Sequence, residues 1–299
     1  MTLHELSFPS MGTRVRLLAS DPGPLAATRS EVERLAARLT RFDPHSELCA
    51  LSADPRPVVP ASAVLRAAVR AAVRGAELTG GLSDPTLLAP LERAGYGSSL
   101  LGVPRTPLRD ALASAPARRA ARPHPAAAWR AVEVDDAAGT IARPPAVRLD
   151  LGGSAKGFIA DRAVALLAPS GPCAADCGGD MRVHGAHEVL AEDPFGGEPV
   201  VAIRLCDGAV ATSGVDARLW AAASHHLLDP ATGLPAWTGV VSATALAPAA
   251  AEAEALAKAA LLAGPDAGRA LLRHGGLLVL DDGTVLRAGE AVPREAVAA

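Results

Sequence analysis

The sequence predicts an α+β fold, with mixed sheets and flanking helices. Three observations carry this. Apolar residues recur at i, i+3, i+4 and i+7 in some segments and alternate in others, so both periods are present. The two do not succeed each other in the steady βαβ rhythm of a doubly wound sheet. Beyond about residue 128 the chain turns strand-rich.

The elements follow in order. Residues 13–18 alternate enough for a first strand, after the turn-like Pro9-Ser10-Met11-Gly12. Residues 25–39 place Val32, Leu35, Ala36 and Leu39 on one helical stripe. Residues 61–78 repeat the pattern through Val64, Leu65, Ala68, Val69, Ala72 and Val73 and stop at Gly80-Gly81, a common helix end. Residues 102–128 are rich in Pro, Ala and Arg and predict irregular structure. A short strand is expected at 147–151, running into Gly152-Gly153, then a helix at 155–167. Strands are expected at 199–205, 209–212, 225–228 and 240–247, and a helix at 251–263. Residues 277–280 and 284–286 flank Asp281-Asp282-Gly283, a hairpin signal.

Composition bounds the function. The 299 residues suit one large domain or two modest ones. With 29 basic and 32 acidic residues the net charge is −3, which argues against a nucleic-acid or anionic-membrane surface. No apolar run reaches the roughly 18–20 residues of a membrane span. Residues 1–20 lack a basic stretch followed by an apolar core, so the expected compartment is the cytoplasm. Cys49, Cys173, Cys177 and Cys206 form no CxxC pair, and a disulfide framework or zinc site is not expected. The chain has no Asn, no Gln and only two lysines, Lys156 and Lys258, against 27 arginines. Where Arg is the default cation, a surviving Lys is a candidate for a specific role.

Four motifs carry chemistry. Asp150-Leu-Gly-Gly-Ser-Ala-Lys-Gly157 lies between an expected strand and helix. Its glycines admit a close ligand, and the helix start offers free N–H groups for phosphate. The same residues also fit a tight turn with a solvated lysine. Asp176-Cys-Gly-Gly-Asp180 fits a plain hairpin. Ala211-Thr-Ser-Gly214 offers hydroxyls, among them Ser213, to a phosphate, or is simply a turn. Ser224-His-His-Leu-Leu-Asp-Pro-Ala-Thr-Gly233 places two imidazoles on opposite faces of a strand. A histidine there can act as a general base, or be a satisfied core residue.

In this order, the motifs resemble the ApbE-type flavin transferases, the FAD:protein FMN transferases, over nearly the whole chain. Ser10-Met-Gly-Thr13 resembles the family's MGT, and Arg41-Phe-Asp-Pro-His-Ser-Glu-Leu48 its S-x-y/f…S-x-L segment. Gly81-Leu-Ser-Asp-Pro-Thr86 is similar to GxFDPT, with Ser83 where Phe is usual. Residues 149–161 resemble DLGGIAKGxxxD. Gly178-Gly179-Asp180, Thr212-Ser213-Gly214 and 225–233 match GGD, TSG and HHIIDPxTG. The resemblance implies a single FAD-binding domain over 1–299, of T-fold-related architecture. It implies FAD and Mg²⁺ as ligands, and transfer of FMN to a Thr or Ser hydroxyl of a target flavoprotein with release of AMP. It places FAD contacts on Met11, Phe42, Leu82, Ser83, Asp84, Asp150, Lys156 and Leu228. His226, or His225 in a shifted register, would be the base, oriented by Asp229.

One departure concerns the metal. The family's ADALAT motif supplies Asp and Thr as oxygen ligands four residues apart on one helix face. Here it is Ala253-Glu254-Ala255-Leu256-Ala257-Lys258. Glu254 and a carbonyl near Gly153 remain as ligands, but a charged Lys258 cannot bind a cation. Either the chain is a degenerate paralogue, or Lys258 pairs with Glu254 and replaces Mg²⁺, so that metal dependence is weakened or absent. The same site admits two other activities: an FAD pyrophosphatase using water, and a non-catalytic FAD-binding protein.

Overall fold

A computed structural model describes residues 3–100, 102–104, 106–221 and 224–289. The fold is α+β. Eight strands form one sheet: β1 (His4–Ser10), β2 (Thr13–Ala19), β3 (Cys173–Cys177), β4 (Asp180–His184), β5 (Ala209–Gly214), β6 (Val240–Ala247), β7 (Gly276–Leu280) and β8 (Val285–Ala288). They lie in chain order, each antiparallel to the next. A long excursion between β2 and β3 carries helices α1 (Leu25–Leu39), α2 (Ala63–Leu78) and α3 (Ala155–Leu167), and α4 (Ala250–Ala263) follows β6.

Helices α3 and α4 lie on the sheet and against each other, while α1 packs on α3 and α2 on α4. This layering explains the sequence patterns. Helix α2 buries one stripe, Leu65, Ala68, Val69, Ala72 and Ala76, and is amphipathic. Helix α4 is covered on both sides and is apolar nearly all round, as a buried helix must be. Glu252, Glu254 and Lys258 are the exceptions in it, and Glu254 is buried, at 2% exposure.

The two inner helices cap each other. Asp161 of α3 accepts hydrogen bonds from the N–H groups of Ala250 and Ala251 (2.8 and 3.1 Å) at the start of α4. Glu254 of α4 accepts one from the N–H of Gly157 (2.9 Å) in the first turn of α3. These amides have no partner within their own helices, and carboxylates there also meet the positive end of the helix dipole. A Cβ at Gly157 would collide with the main chain of Ala250, so glycine permits this approach.

Three expected elements differ. Residues 147–151 form no strand. Their alternation is real, with Leu149 and Leu151 buried at 1% exposure, but the N–H of Asp150 donates to the carbonyl of Pro85 (2.9 Å), in a loop. Alternation reports an extended backbone and not its pairing partner. The strand expected at 225–228 is two short bridges, Ser224–His225 and Leu228–Asp229, split by a turn. Within 102–128, where Arg105 lies outside the described residues, a helix forms at Leu108–Ala113 behind Pro107. The following stretch, 115–124, carries no helix or strand and is pinned by its backbone. Arg119 N–H donates to Trp237 O (2.7 Å) and Ala121 N–H to Leu262 O (2.8 Å).

Candidate active site

A cavity of about 880 Å³ opens where the β1–β2 turn, the start of α3, the end of β5 and helix α4 converge. This is the upper end of the size range of small-molecule sites. Its floor is charged. The Lys156 ammonium forms ion pairs with Asp180 and with Glu254 Oε1 (3.0 Å). Glu254 Oε2 accepts the Gly157 N–H, so both of its oxygens are engaged. Burial opposes the charge on Lys156, and the two carboxylates outweigh it, holding the ammonium above the ordinary lysine value. Burial and the neighbouring Glu254 raise Asp180. Lys258 donates to the carbonyl oxygen of Gly153 (3.1 Å) and, among the described residues, forms no ion pair. A Cβ on Gly153 would overlap that ammonium, so glycine makes room for it. Burial lowers the pKa of Lys258 from the ordinary lysine value, with Glu254 and Asp150 opposing.

The histidine pair divides as alternation predicts. His225 is fully buried, edge-on to Trp237 with ring centroids 4.9 Å apart. Burial holds it down to about 4. His226 lines the cavity. Burial, then Arg218 and His225, hold it well below the ordinary histidine value, so its imidazole is neutral at pH 7. Its Nδ1 is buried without a hydrogen-bond partner among the described residues. Such orphans are rare.

Asp229 does not orient His226. Its Oδ1 accepts from the N–H groups of Arg122 (2.9 Å) and Ala231 (3.1 Å), and its Oδ2 from the Thr232 hydroxyl (3.2 Å). An Asp before Pro in a closing turn satisfies local amides first, and this one also ties down the 114–127 stretch. Glu254 does not pair with Lys258 as expected either. Lys156 reaches it first, from the start of α3.

The other expected contacts, Met11, Phe42, Leu82, Ser83, Asp84, Asp150, Ser213 and Leu228, all line the cavity with Lys156 and Gly153. Met11 and Gly12, with φ of +52° and +69°, make a two-residue hairpin turn that presents Met11 to the cavity. A positive φ is uncommon for a residue such as methionine and marks a constrained position. Asp84 Oδ1 accepts from the N–H (2.8 Å) and hydroxyl (2.6 Å) of Thr86, which fixes its direction.

Sequence reasoning named Phe42 but missed its neighbours at the mouth. Phe42, Tyr96 and Trp220 form a file of rings, each pair of neighbours 5.6 Å between centroids. The Arg41 guanidinium lies 4.2 Å from the Phe42 ring centre and 4.5 Å from that of Tyr96. It also donates to Tyr96 O (2.7 Å) and lies 3.4 Å from Asp150 Oδ1. Scarcity was the available signal, since the chain has only 1 Tyr, 3 Trp and 4 Phe.

The residues present do not fit the divalent cation that the resemblance implies. Both Glu254 oxygens are taken, Gly153 O faces an ammonium, and Lys258 offers donors only. Among the described residues, no group of three or more His, Cys, Asp or Glu is arranged to hold a metal ion.

Fold and site thus define an α+β protein built round a cleft of small-molecule size, with half-buried ammonium groups below and a file of rings above. The ApbE family model matches residues 11–280, and the chain belongs to the ApbE family. The crystal structure of the ApbE protein of Thermotoga maritima MSB8 is 30% identical, with 96% of this chain and 97% of that one covered and a TM-score of 0.79. The flavin transferase ApbE of Vibrio cholerae is 23% identical over 96% of this chain and 97% of its own, with a TM-score of 0.74, and shares the fold. An FAD:protein FMN transferase of Treponema pallidum (strain Nichols) is 34% identical over 149 residues, 43% of this chain and 41% of that protein. No helix among the described residues is long and apolar enough to cross a membrane.

Proposed function

We propose that this protein transfers FMN from FAD to a Thr or Ser hydroxyl of a target flavoprotein and releases AMP. One observation carries the reading: a neutral imidazole, His226, lines the same cavity as the ammonium of Lys258. Substitution at phosphorus needs a base for the incoming hydroxyl and positive charge for the phosphates. The hydroxyl oxygen bonds to the flavin-side phosphorus, and the bond from that phosphorus to the bridging oxygen breaks. The bridging oxygen leaves with AMP and the electron pair, and the hydroxyl proton passes to the His226 imidazole. The ring file of Phe42, Tyr96 and Trp220 offers faces for the isoalloxazine. Asp150, held by Arg41, and Asp84 are acceptors for ribose or ring N–H groups. All four cysteines are free thiols, which suits the cytoplasmic setting expected from the sequence.

The test is product analysis with FAD labelled in its adenine half and a recombinant flavoprotein subunit as acceptor. Flavin that stays on the acceptor after denaturation, with one AMP released per flavin bound, is the expected result. Free FMN with AMP instead would make the protein a pyrophosphatase. FAD bound and recovered intact would make it a binding protein.

A further inference from the structure

We propose that Lys258 is a resident cation, which occupies the position a divalent ion would need and neutralises the pyrophosphate in its place. The inference rests on the flavin-transfer reading above. Lys258 comes from the middle of α4 and reaches the carbonyl of Gly153 at 3.1 Å. That carbonyl belongs to the Gly152-Gly153 turn before α3, which lines the cavity. A divalent ion on the same oxygen would sit at about 2.0–2.6 Å from it, against an ammonium already in place. Like charges at that separation repel strongly where water is scarce.

The rest of the floor agrees. Glu254 is the carboxylate an ion would recruit, and both of its oxygens are committed, one to Lys156 and one to the Gly157 amide. Lys156 faces two buried carboxylates, Asp180 and Glu254. Lys156 is tied into both carboxylates, while among the described residues Lys258 holds only a neutral carbonyl. Lys258 is therefore the cation whose charge remains available to a ligand, and an arriving pyrophosphate favours its charged form. Glycine at 153 is required by the arrangement, because any side chain there would displace the ammonium. In a chain that otherwise uses arginine, a compact ammonium fits this position as a branched guanidinium would not.

The full-length protein tests this in two arms. The first measures FAD affinity by flavin fluorescence, in EDTA and in Mg²⁺. The second measures melting temperature with and without Mg²⁺ and no flavin. Wild type is expected to bind FAD with equal affinity in EDTA and Mg²⁺, within about twofold, and to show no Mg²⁺-dependent shift in melting. Lys258→Thr is expected to lose about 10- to 100-fold in FAD affinity in EDTA, as removal of a charge-assisted phosphate contact does. Mg²⁺ should restore much of that loss and stabilise the variant without flavin. Lys258→Met keeps the length of the side chain without its charge. It should show the same loss with no Mg²⁺ rescue, and it keeps the test decisive if Lys258→Thr fails to fold. The proposal is overturned if Mg²⁺ tightens FAD binding to wild type or raises its melting temperature. It is also overturned if both variants bind FAD as wild type does. If wild type binds no FAD, the flavin-transfer reading falls, and the melting arm decides the cation by itself. Stabilisation of Lys258→Thr alone upholds it, and stabilisation of both proteins or of neither overturns it.

Discussion

The floor of the cleft and its mouth are made by different parts of the fold, with different chemistry. The floor comes from α3, α4 and β4, the layers that build the core, and it is a set of buried charges. Asp180 and Glu254 are 1% and 2% exposed. The mouth comes from two loops and a short strand, Leu219–Ala221, and it is a file of rings around one guanidinium, with Phe42 still 41% exposed. A buried charge without its partner costs several kcal/mol, whereas a ring contact contributes about 0.5–1.5 kcal/mol. The floor is therefore bound up with folding, and the mouth is free to vary. Substitutions on the floor should register in stability as well as in catalysis, and substitutions at the mouth in ligand affinity.

The largest effect should fall on the wall between the two. His226→Ala is expected to slow FMN transfer about 10²–10⁴-fold while leaving FAD affinity nearly intact, since a general base acts in the transition state. Single-turnover transfer beside fluorescence binding checks it. Equal loss in both measurements would move His226 from the reaction to the binding surface.

Lys156→Ala should leave Asp180 and Glu254 facing each other, buried and unpaired. The expected loss of stability is about 3–5 kcal/mol by urea denaturation. A loss below about 1 kcal/mol would mean that solvent reaches the floor, and the contrast with the mouth would collapse.

Acid separates the regions in another way. His225 is held down to about 4 by burial, against an ordinary value of 6.5. Between those values the unfolded chain binds the proton and the folded chain does not, so His225 contributes a stability that is present above pH 6.5 and lost as pH falls toward 4. The full swing is about 3 kcal/mol. His225→Phe keeps a ring against Trp237, and its stability should fall less steeply over that window. The difference between the two proteins isolates His225 from Asp180, whose raised pKa acts with the opposite sign in both. Parallel pH curves for variant and wild type would sink this account.

The floor was largely legible in the sequence as residues, because glycine-rich turns and scarce lysines mark themselves. Its pairing was not. Spacing put Glu254 and Lys258 on one helix face, but it is silent about Lys156 arriving from another helix at closer range. Asp229 shows the same limit, since adjacency to a histidine says nothing about which amides a carboxylate meets first. The sheet was legible where strands alternate, and 147–151 shows that alternation does not name a partner. The mouth was legible only at Phe42, which lies in the 41–48 motif. Positions 96 and 220 share no motif with it, and the three rings meet only where two loops and the short strand Leu219–Ala221 converge.

The smallest effect is expected at that mouth, and it asks whether the ring file is a ligand surface or mere cover. Phe42 touches the Arg41 guanidinium and tilts against Tyr96 at 54°, with much of its face open to solvent. Phe42→Ala removes a stacking face and little core, so stability should change by less than about 0.5 kcal/mol. FAD and FMN share the isoalloxazine, and both should weaken by the same factor, about 2- to 10-fold. Lys258→Met acts on the pyrophosphate and should weaken FAD more than FMN. The ratio of FAD to FMN affinity thus reads the two regions separately: unchanged by Phe42→Ala, reduced by Lys258→Met. If Phe42→Ala weakens FAD alone, the rings hold the adenine half, and the flavin lies nearer the floor than the mouth.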